Sequence, residues 1–187
     1  MKKLIFNLYL LIIAFFLCAQ SNALNNPNAW VLHQGSYIGA KIGGNLNGVT
    51  FYINDKPIEN AFSDTFYHSV AQTMFAGYYF NPHWALEGEV GSYFSGIGLS
   101  GRAAARGNIA LAQRVGLSAA LGGAYIATPL RKAFMGPYAD ITLTYALSKK
   151  VDLLTTVSDV FAIYQFSNNF KMTNHFMSIL VGFGYRI

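Results

Sequence analysis

Over most of this sequence, bulky apolar side chains occupy every second position and small or polar ones sit between them. From 138 to 147, Ala139, Ile141, Leu143, Tyr145 and Leu147 alternate with Tyr138, Asp140, Thr142, Thr144 and Ala146. Successive side chains of an extended strand point to opposite faces, whereas the faces of a helix repeat about every 3.6 residues. The pattern therefore predicts two-sided ribbons. It recurs from 115 to 125, where Val115, Leu117, Ala119, Leu121 and Tyr125 oppose Gly116, Ser118, Ala120, Gly122 and Ala124. From 97 to 107 both Arg102 and Arg106 fall on one face, and from 84 to 94 Glu87 and Glu89 do the same. From 177 to 187, Met177, Ile179, Val181, Phe183, Tyr185 and Ile187 alternate with Ser178, Leu180, Gly182, Gly184 and Arg186.

The greasy faces need an apolar medium. Only 11% of the residues are charged, less than half of the roughly 25% usual in soluble domains. A helical membrane span is not the answer, because no run of about 18 apolar residues follows Ala23. The nearest rival, between Arg114 and Arg131, is interrupted by Gly116, Gly122, Gly123 and Pro129. Strands that cross hydrocarbon must close into a barrel, since each unpaired edge N–H or C=O would cost several kcal/mol there.

Residues 1–23 are read as a cleaved secretory signal: Lys2 and Lys3, then an apolar stretch, then Ser21-Asn22-Ala23 with small residues at −3 and −1. A lipid-attachment reading at Cys18 is disfavoured by the bulky Phe15, Phe16 and Leu17 before it. Cleavage removes the single cysteine, so disulfide and thiol chemistry are excluded from the mature chain, 24–187.

Eight strands are expected, at 36–45, 69–80, 84–94, 97–107, 115–125, 138–147, 151–165 and 177–187. Short turns at 81–83, 108–113 and 148–150 alternate with longer loops at 46–68, 128–136 and 166–174 and a tight one at Ser95-Gly96, the asymmetry of a barrel with periplasmic turns and external loops. Asp159 falls on the face of Leu153 and Val157, which predicts a bulge or an early exit from the membrane. Pro57, Pro82, Pro129 and Pro137 are placed in connections or at strand ends. The predicted fold is all-β: an eight-stranded antiparallel up-and-down transmembrane β-barrel.

Lys41, Glu87, Glu89, Arg102, Arg106, Arg114 and Asp140 are assigned to the barrel interior, opposite the bulky apolar residues. A soluble barrel would show the inverse arrangement. An interior that narrow is expected to be plugged by an ion-pair network; the alternative is an ion pore gated by exchanging Arg–Glu pairs. Tyr79, Phe80, Trp84, Tyr93, Phe94, Tyr125 and Tyr185 are read as interfacial aromatic girdles.

No catalytic, cofactor or metal site is expected. A Ser hydrolase needs Ser and His within reach of each other, yet His68-Ser69 and the pair His175 and Ser178 each split across strand faces. The histidines His33, His68, His83 and His175 lack metal-ligand spacing. The excess of Lys and Arg over acids, 13 against 8, forms no nucleic-acid-binding stripe.

Four segments resemble the transmembrane domain of the OmpA-like outer-membrane barrel family: Ser36-Tyr37-Ile38-Gly39-Ala40-Lys41-Ile42-Gly43; Ala76-Gly77-Tyr78-Tyr79-Phe80-Asn81-Pro82 continuing to Glu87; Leu121-Gly122-Gly123-Ala124-Tyr125; and Val181-Gly182-Phe183-Gly184-Tyr185-Arg186-Ile187. The resemblance spans nearly the whole mature chain. It implies outer-membrane lipid as surroundings and a carboxy-terminal signal, Val181, Phe183, Tyr185 and Ile187, read by the barrel-insertion machinery. Family members usually finish on Phe or Trp, so Ile187 departs from the pattern. The peptidoglycan-binding domain that often follows such barrels is not expected here. The function expected is non-catalytic: envelope structure, and contact with host or environmental ligands through external loops, above all 46–68. An ion or solute channel and a lipid A-modifying enzyme are the alternatives.

Overall fold

The alternation read from the sequence becomes one continuous antiparallel sheet that closes on itself. The computed structural model describes residues 29–54, 56–57, 67–93, 98–127, 133–167 and 170–187. Its strands are β1 (Gly35–Ile53), β2 (Lys56–Pro57), β3 (Tyr67–Asn81), β4 (Trp84–Tyr93), β5 (Gly98–Ala110), β6 (Val115–Ala127), β7 (Ala133–Ala146), β8 (Val151–Ser167) and β9 (Phe170–Arg186). β2 is a two-residue ribbon on the tip of β1, so eight strands build the wall. Each pairs with its chain neighbour, and β1 pairs with β9 from Tyr37↔Arg186 to Ile53↔Phe170. That seam removes the sheet edges, so the ladders satisfy their own N–H and C=O groups. No helix occurs among the described residues.

The short turns are set by side chains that imitate backbone acceptors. Asn81 Oδ1 accepts from the His83 and Trp84 amides at 2.9 and 3.0 Å, and Ser148 Oγ accepts from the Lys150 and Val151 amides at 3.1 and 3.0 Å. The third turn, 111–114, is closed by backbone bonds between Leu111, Ala112 and Val115. All three turns lie at one end of the barrel.

At the other end the strands outrun the expected boundaries. Residues 46–53, assigned to a loop, continue β1 because the β9 seam supplies partners as far as Ile53. Likewise 133–136 belong to β7, and the expected loop 166–174 is largely the ends of β8 and β9. Asp159 is not a bulge: it pairs in register with Met177, and the irregularity lies later, between Gln165 and Ser167. Pro137 sits within β7, paired to Gly123. The ladder to β8 starts only at the next residue, Tyr138↔Val160, so the missing N–H marks where that ladder stops. The expected signal at 1–23, Cys18, and the loop residues 58–66, 94–97 and 128–132 lie outside the described residues.

Burial follows the two-residue period. Ile42, Met74, Val90, Leu143, Val181 and Phe183 face outward and exposed, while every described carboxylate except the half-buried Asp159 is buried inside. The described chain enters through a strap, 29–34, that turns at Trp30 and Val31 and crosses the short-turn end of the lumen. Gly35, at φ 116°, then turns it into β1, a conformation that glycine adopts without steric cost.

Candidate functional site

The lumen is the one place where the described residues gather polar chemistry, and it is filled in three layers. The middle layer centres on Arg106 of β5. Its guanidinium donates to Glu87 of β4, Nε to Oε2 at 3.0 Å and Nη2 to Oε1 at 2.8 Å. It also donates to Asp140 of β7, Nη1 to Oδ1 at 3.1 Å and Nη2 to Oδ2 at 2.8 Å, and to Ser118 Oγ at 2.9 Å. The two carboxylates gain further donors: Tyr37 OH reaches Glu87 Oε2 at 2.7 Å, and Tyr138 OH reaches Asp140 Oδ2 at 2.5 Å. Tyr37 fits because Gly77 faces it, where a Cβ would come within 2.5 Å of the Tyr37 ring.

A second ion cluster adjoins this one. Glu89 takes Arg102 Nη1 on Oε1 at 2.7 Å and Lys41 Nζ beside Oε2 at 2.5 Å. Alone, the Arg106 cluster has one carboxylate too many and the Glu89 cluster one cation too many. They are neighbours through Tyr138, whose ring lies 5.0 Å from the Arg102 guanidinium while its hydroxyl serves Asp140. Three cations and three carboxylates thus balance inside one buried compartment. Such charges persist only when paired and hydrogen-bonded.

Above and below, the lumen is closed by apolar and aromatic side chains. Toward the long-strand end, Ile126, Tyr138, Val160 and Phe176 pack as a buried cluster. At the short-turn end, the strap buries Ala29 and Val31 against Ala110 and Ala146. The strap is tied in by Trp30 N to the Gln113 carbonyl at 2.7 Å, by Asn108 Nδ2 to the Val31 carbonyl at 3.1 Å, and by Arg186, which donates to the Trp30 carbonyl. Arg186 is itself paired to Asp152. His33 packs edge-on against Tyr79, centroids 4.5 Å apart, and against Tyr37 at 5.9 Å. Its pKa is lowered to about 4, first because burial disfavours the cation and then because Arg186 is near; the Val31 backbone offsets a little. Between strap and ion clusters lies a cavity of about 40 Å³, lined by Val31, His33, Tyr37, Glu87, Arg106 and Asp152 among others. That is room for about two or three water molecules.

Of the seven charges assigned to the interior, Lys41, Glu87, Glu89, Arg102, Arg106 and Asp140 are buried in the lumen. Arg114 is not: it lies in the exposed 111–114 turn, its guanidinium 4.3 Å from the Trp30 ring, because β5 runs on to Ala110 and displaces the turn. Among the expected girdle residues, Phe80, Tyr125 and Tyr185 are exposed on the outer wall and Trp84 is half-buried. Tyr79 faces inward and is only 5% exposed: period two forbids neighbouring Tyr79 and Phe80 from sharing a face. Phe94 and the Tyr93 side chain lie outside the described residues, as do the side chains of His68, Ser69 and His175. Val181, Phe183, Tyr185 and Ile187 are exposed on the outer wall.

Sequence reasoning overlooked Tyr37, Asp152, Arg186 and the strap. Parity could have found Tyr37, four residues before Lys41 on the same face, and Arg186, which alternates with Gly182 and Gly184. Nothing in the period-two pattern announces the strap, which is not a strand. No group of three or more His, Cys, Asp or Glu fit to hold a metal occurs among the described residues.

No family model and no curated protein matches this sequence. Solved structures do match its fold. The outer membrane protein OprG from Pseudomonas aeruginosa superposes with a TM-score of 0.52 at 10% identity, over 84% of this chain and 98% of that one. Neisserial surface protein A gives 0.50 at 12% identity, over 82% and 97%. A barrel from the de novo design of transmembrane β-barrels gives 0.50 at 12% identity, over 83% and 98%. The chain therefore has the closed eight-stranded antiparallel architecture of outer-membrane β-barrels.

Proposed function

We propose that this chain is a non-catalytic outer-membrane protein of OmpA-like type, matured by loss of residues 1–23, that stabilises the envelope and presents its long-strand end to external partners. The observation that carries the reading is inversion: large apolar side chains face outward around a closed wall, while the charges pair inside a lumen whose cavity beside them measures about 40 Å³. A soluble barrel gains nothing from such a surface, whereas hydrocarbon solvates it. The short turns then face the periplasm. The opposite ends of the strands, with Lys56–Pro57 at the tip of β1, then face the exterior, where partners are met.

Expression in a Gram-negative host with fractionation of the envelope tests this reading. The protein is expected in the outer-membrane fraction, migrating faster on SDS gels before boiling than after. Recovery in the soluble fraction, or identical migration, overturns it. An epitope placed between 58 and 66 should be reached by antibody on intact cells.

A pore is the second reading. Its support is the sharing of Arg106 between Glu87 and Asp140, because a shared cation has an alternative partner already in place. The packed layers on both sides of that arginine favour the plug.

A further inference from the structure

The outer wall is not uniformly bulky. A ladder row runs Val151↔Tyr185, Tyr185↔Ile38, Ile38↔Ala76, Ala76↔Gly88 and Gly88↔Ala103, from the first residue of β8 across to β5. Halfway along, its residues are small. Beside that stretch Met74 and Val90 stand proud, 67% and 64% exposed. The result is an apolar groove of about 790 Å³, floored by Ala76, Gly88 and Gly101 and flanked by Met74, Val90 and Tyr185. The floor is open: a Cβ on Gly101 would meet nothing within 4 Å, and one on Gly88 only the Arg102 carbonyl oxygen at 3.9 Å. Six strands spaced about 4.8 Å apart give a row about 24 Å long. With strands tilted by about 45°, it climbs about 17 Å, close to the roughly 15 Å depth of one hydrocarbon leaflet.

The foot of the groove is charged. Val151 and Tyr185 lie there, and Lys150 Nζ lies 5.9 Å from the Tyr185 ring centroid, with Lys149 exposed beside it. Among the described residues no exposed acidic side chain shares that rim, since Asp152 is buried against Arg186. A cation at the interface above an apolar trough complements a molecule with an anionic head and a long alkyl chain.

We infer that this groove holds one anionic phospholipid of the periplasmic leaflet, its phosphate on Lys150 and one acyl chain laid along Ala76 and Gly88. The inference rests on the membrane-barrel reading, which supplies the leaflet. An ordinary annular lipid exchanges with detergent, but a chain seated in the trough with its head held by lysine stays.

The purified full-length barrel, folded in detergent, is mixed with dioleoyl phosphatidylglycerol or dioleoyl phosphatidylcholine and read by native mass spectrometry. One phosphatidylglycerol per barrel is expected to survive, retained about fivefold more than phosphatidylcholine, as about 1 kcal/mol from one lysine implies. Lys150→Glu should erase that preference. Gly88→Leu, which projects into the trough without meeting the wall, should remove retention of both lipids while heat-modifiability persists. A heat-modifiable wild type that keeps no lipid, keeps both equally, or behaves identically as Gly88→Leu overturns the site and leaves the barrel standing. Loss of heat-modifiability in the wild type itself overturns both.

Discussion

Arg106 and Asp140 meet on the lumen face of the wall through two contacts, Nη1 to Oδ1 at 3.1 Å and Nη2 to Oδ2 at 2.8 Å. The strands that carry them, β5 and β7, are not neighbours: β6 lies between, with Ala120 paired to both residues. A methyl group at that point leaves the space that the guanidinium and carboxylate occupy, so the pair is a product of the register of three strands and not of any single hairpin.

The two partners are not equivalent. Removing Asp140 leaves Arg106 its bidentate contact with Glu87, whereas removing Arg106 strands two buried carboxylates. Breaking a buried ion pair costs about 3–5 kcal/mol. Asp140→Asn should fall at or below the lower end of that range, and Arg106→Met at the upper end or beyond. Urea unfolding of the barrel refolded into vesicles measures both. Equal losses would mean that Glu87 does not hold Arg106 on its own.

Two adjacent glycines in β6 should respond in opposite ways. A Cβ on Gly122 would sit 1.9 Å from the Ala103 carbonyl oxygen and 2.6 Å from Ala104 Cα, both backbone atoms that cannot step aside; one on Gly123 meets nothing within 4 Å. Gly122→Ala is expected to cost at least about 1–3 kcal/mol through overpacking, and Gly123→Ala to be close to neutral. The fraction of heat-modifiable protein after refolding separates the two.

These cases mark how far the sequence could be read. Parity is a local property, so the lumen faces of Glu87, Glu89, Arg102, Arg106 and Asp140 were legible from alternation alone. Misplacing Arg114 and Tyr79 came from trusting approximate strand ends over parity. The β1 extension through 46–53 was hidden for another reason: that stretch is a strand because β9 pairs with it, and pairing between the first and last strands leaves no local trace. The Arg106–Asp140 contact depends on the register of three strands, in which Ala120 pairs with both residues, and the strap is held by hydrogen bonds to three distant elements. Both depend on how separate segments meet, which a linear pattern cannot express.

Planar bilayers offer a direct test of the filled lumen. With only about 40 Å³ free beside Arg106, the wild-type barrel should show no discrete conductance steps. Neutralising Arg106 alone should not open it either, because Ile126, Val160 and Phe176 still close the other end. Regular steps from the wild type that change when Glu87 or Arg102 is reversed would establish a gated pore instead.

The strap should respond to acid through His33. In the folded barrel its pKa is lowered from 6.5 to about 4, so between those values the unfolded or undocked strap binds the proton that the docked one refuses. Stability from the docked strap is therefore complete above pH 6.5, declines as pH falls toward 4, and loses up to about 3 kcal/mol in all. The groups around the ring are Arg186 on β9, Asp152 on β8, Tyr37 on β1 and Tyr79 on β3, and none offers the imidazolium an uncommitted carboxylate, since Asp152 already holds Arg186. Release of the strap costs less than unfolding the barrel and would free Trp30 from Arg114 and from the Gln113 carbonyl. In a Trp84→Phe background, Trp30 is the only tryptophan left. Its emission should shift to the red on acidification from pH 6.5 to 4, and His33→Gln should abolish the shift while Asp152→Asn keeps it. A transition that survives His33→Gln would assign the proton to another group.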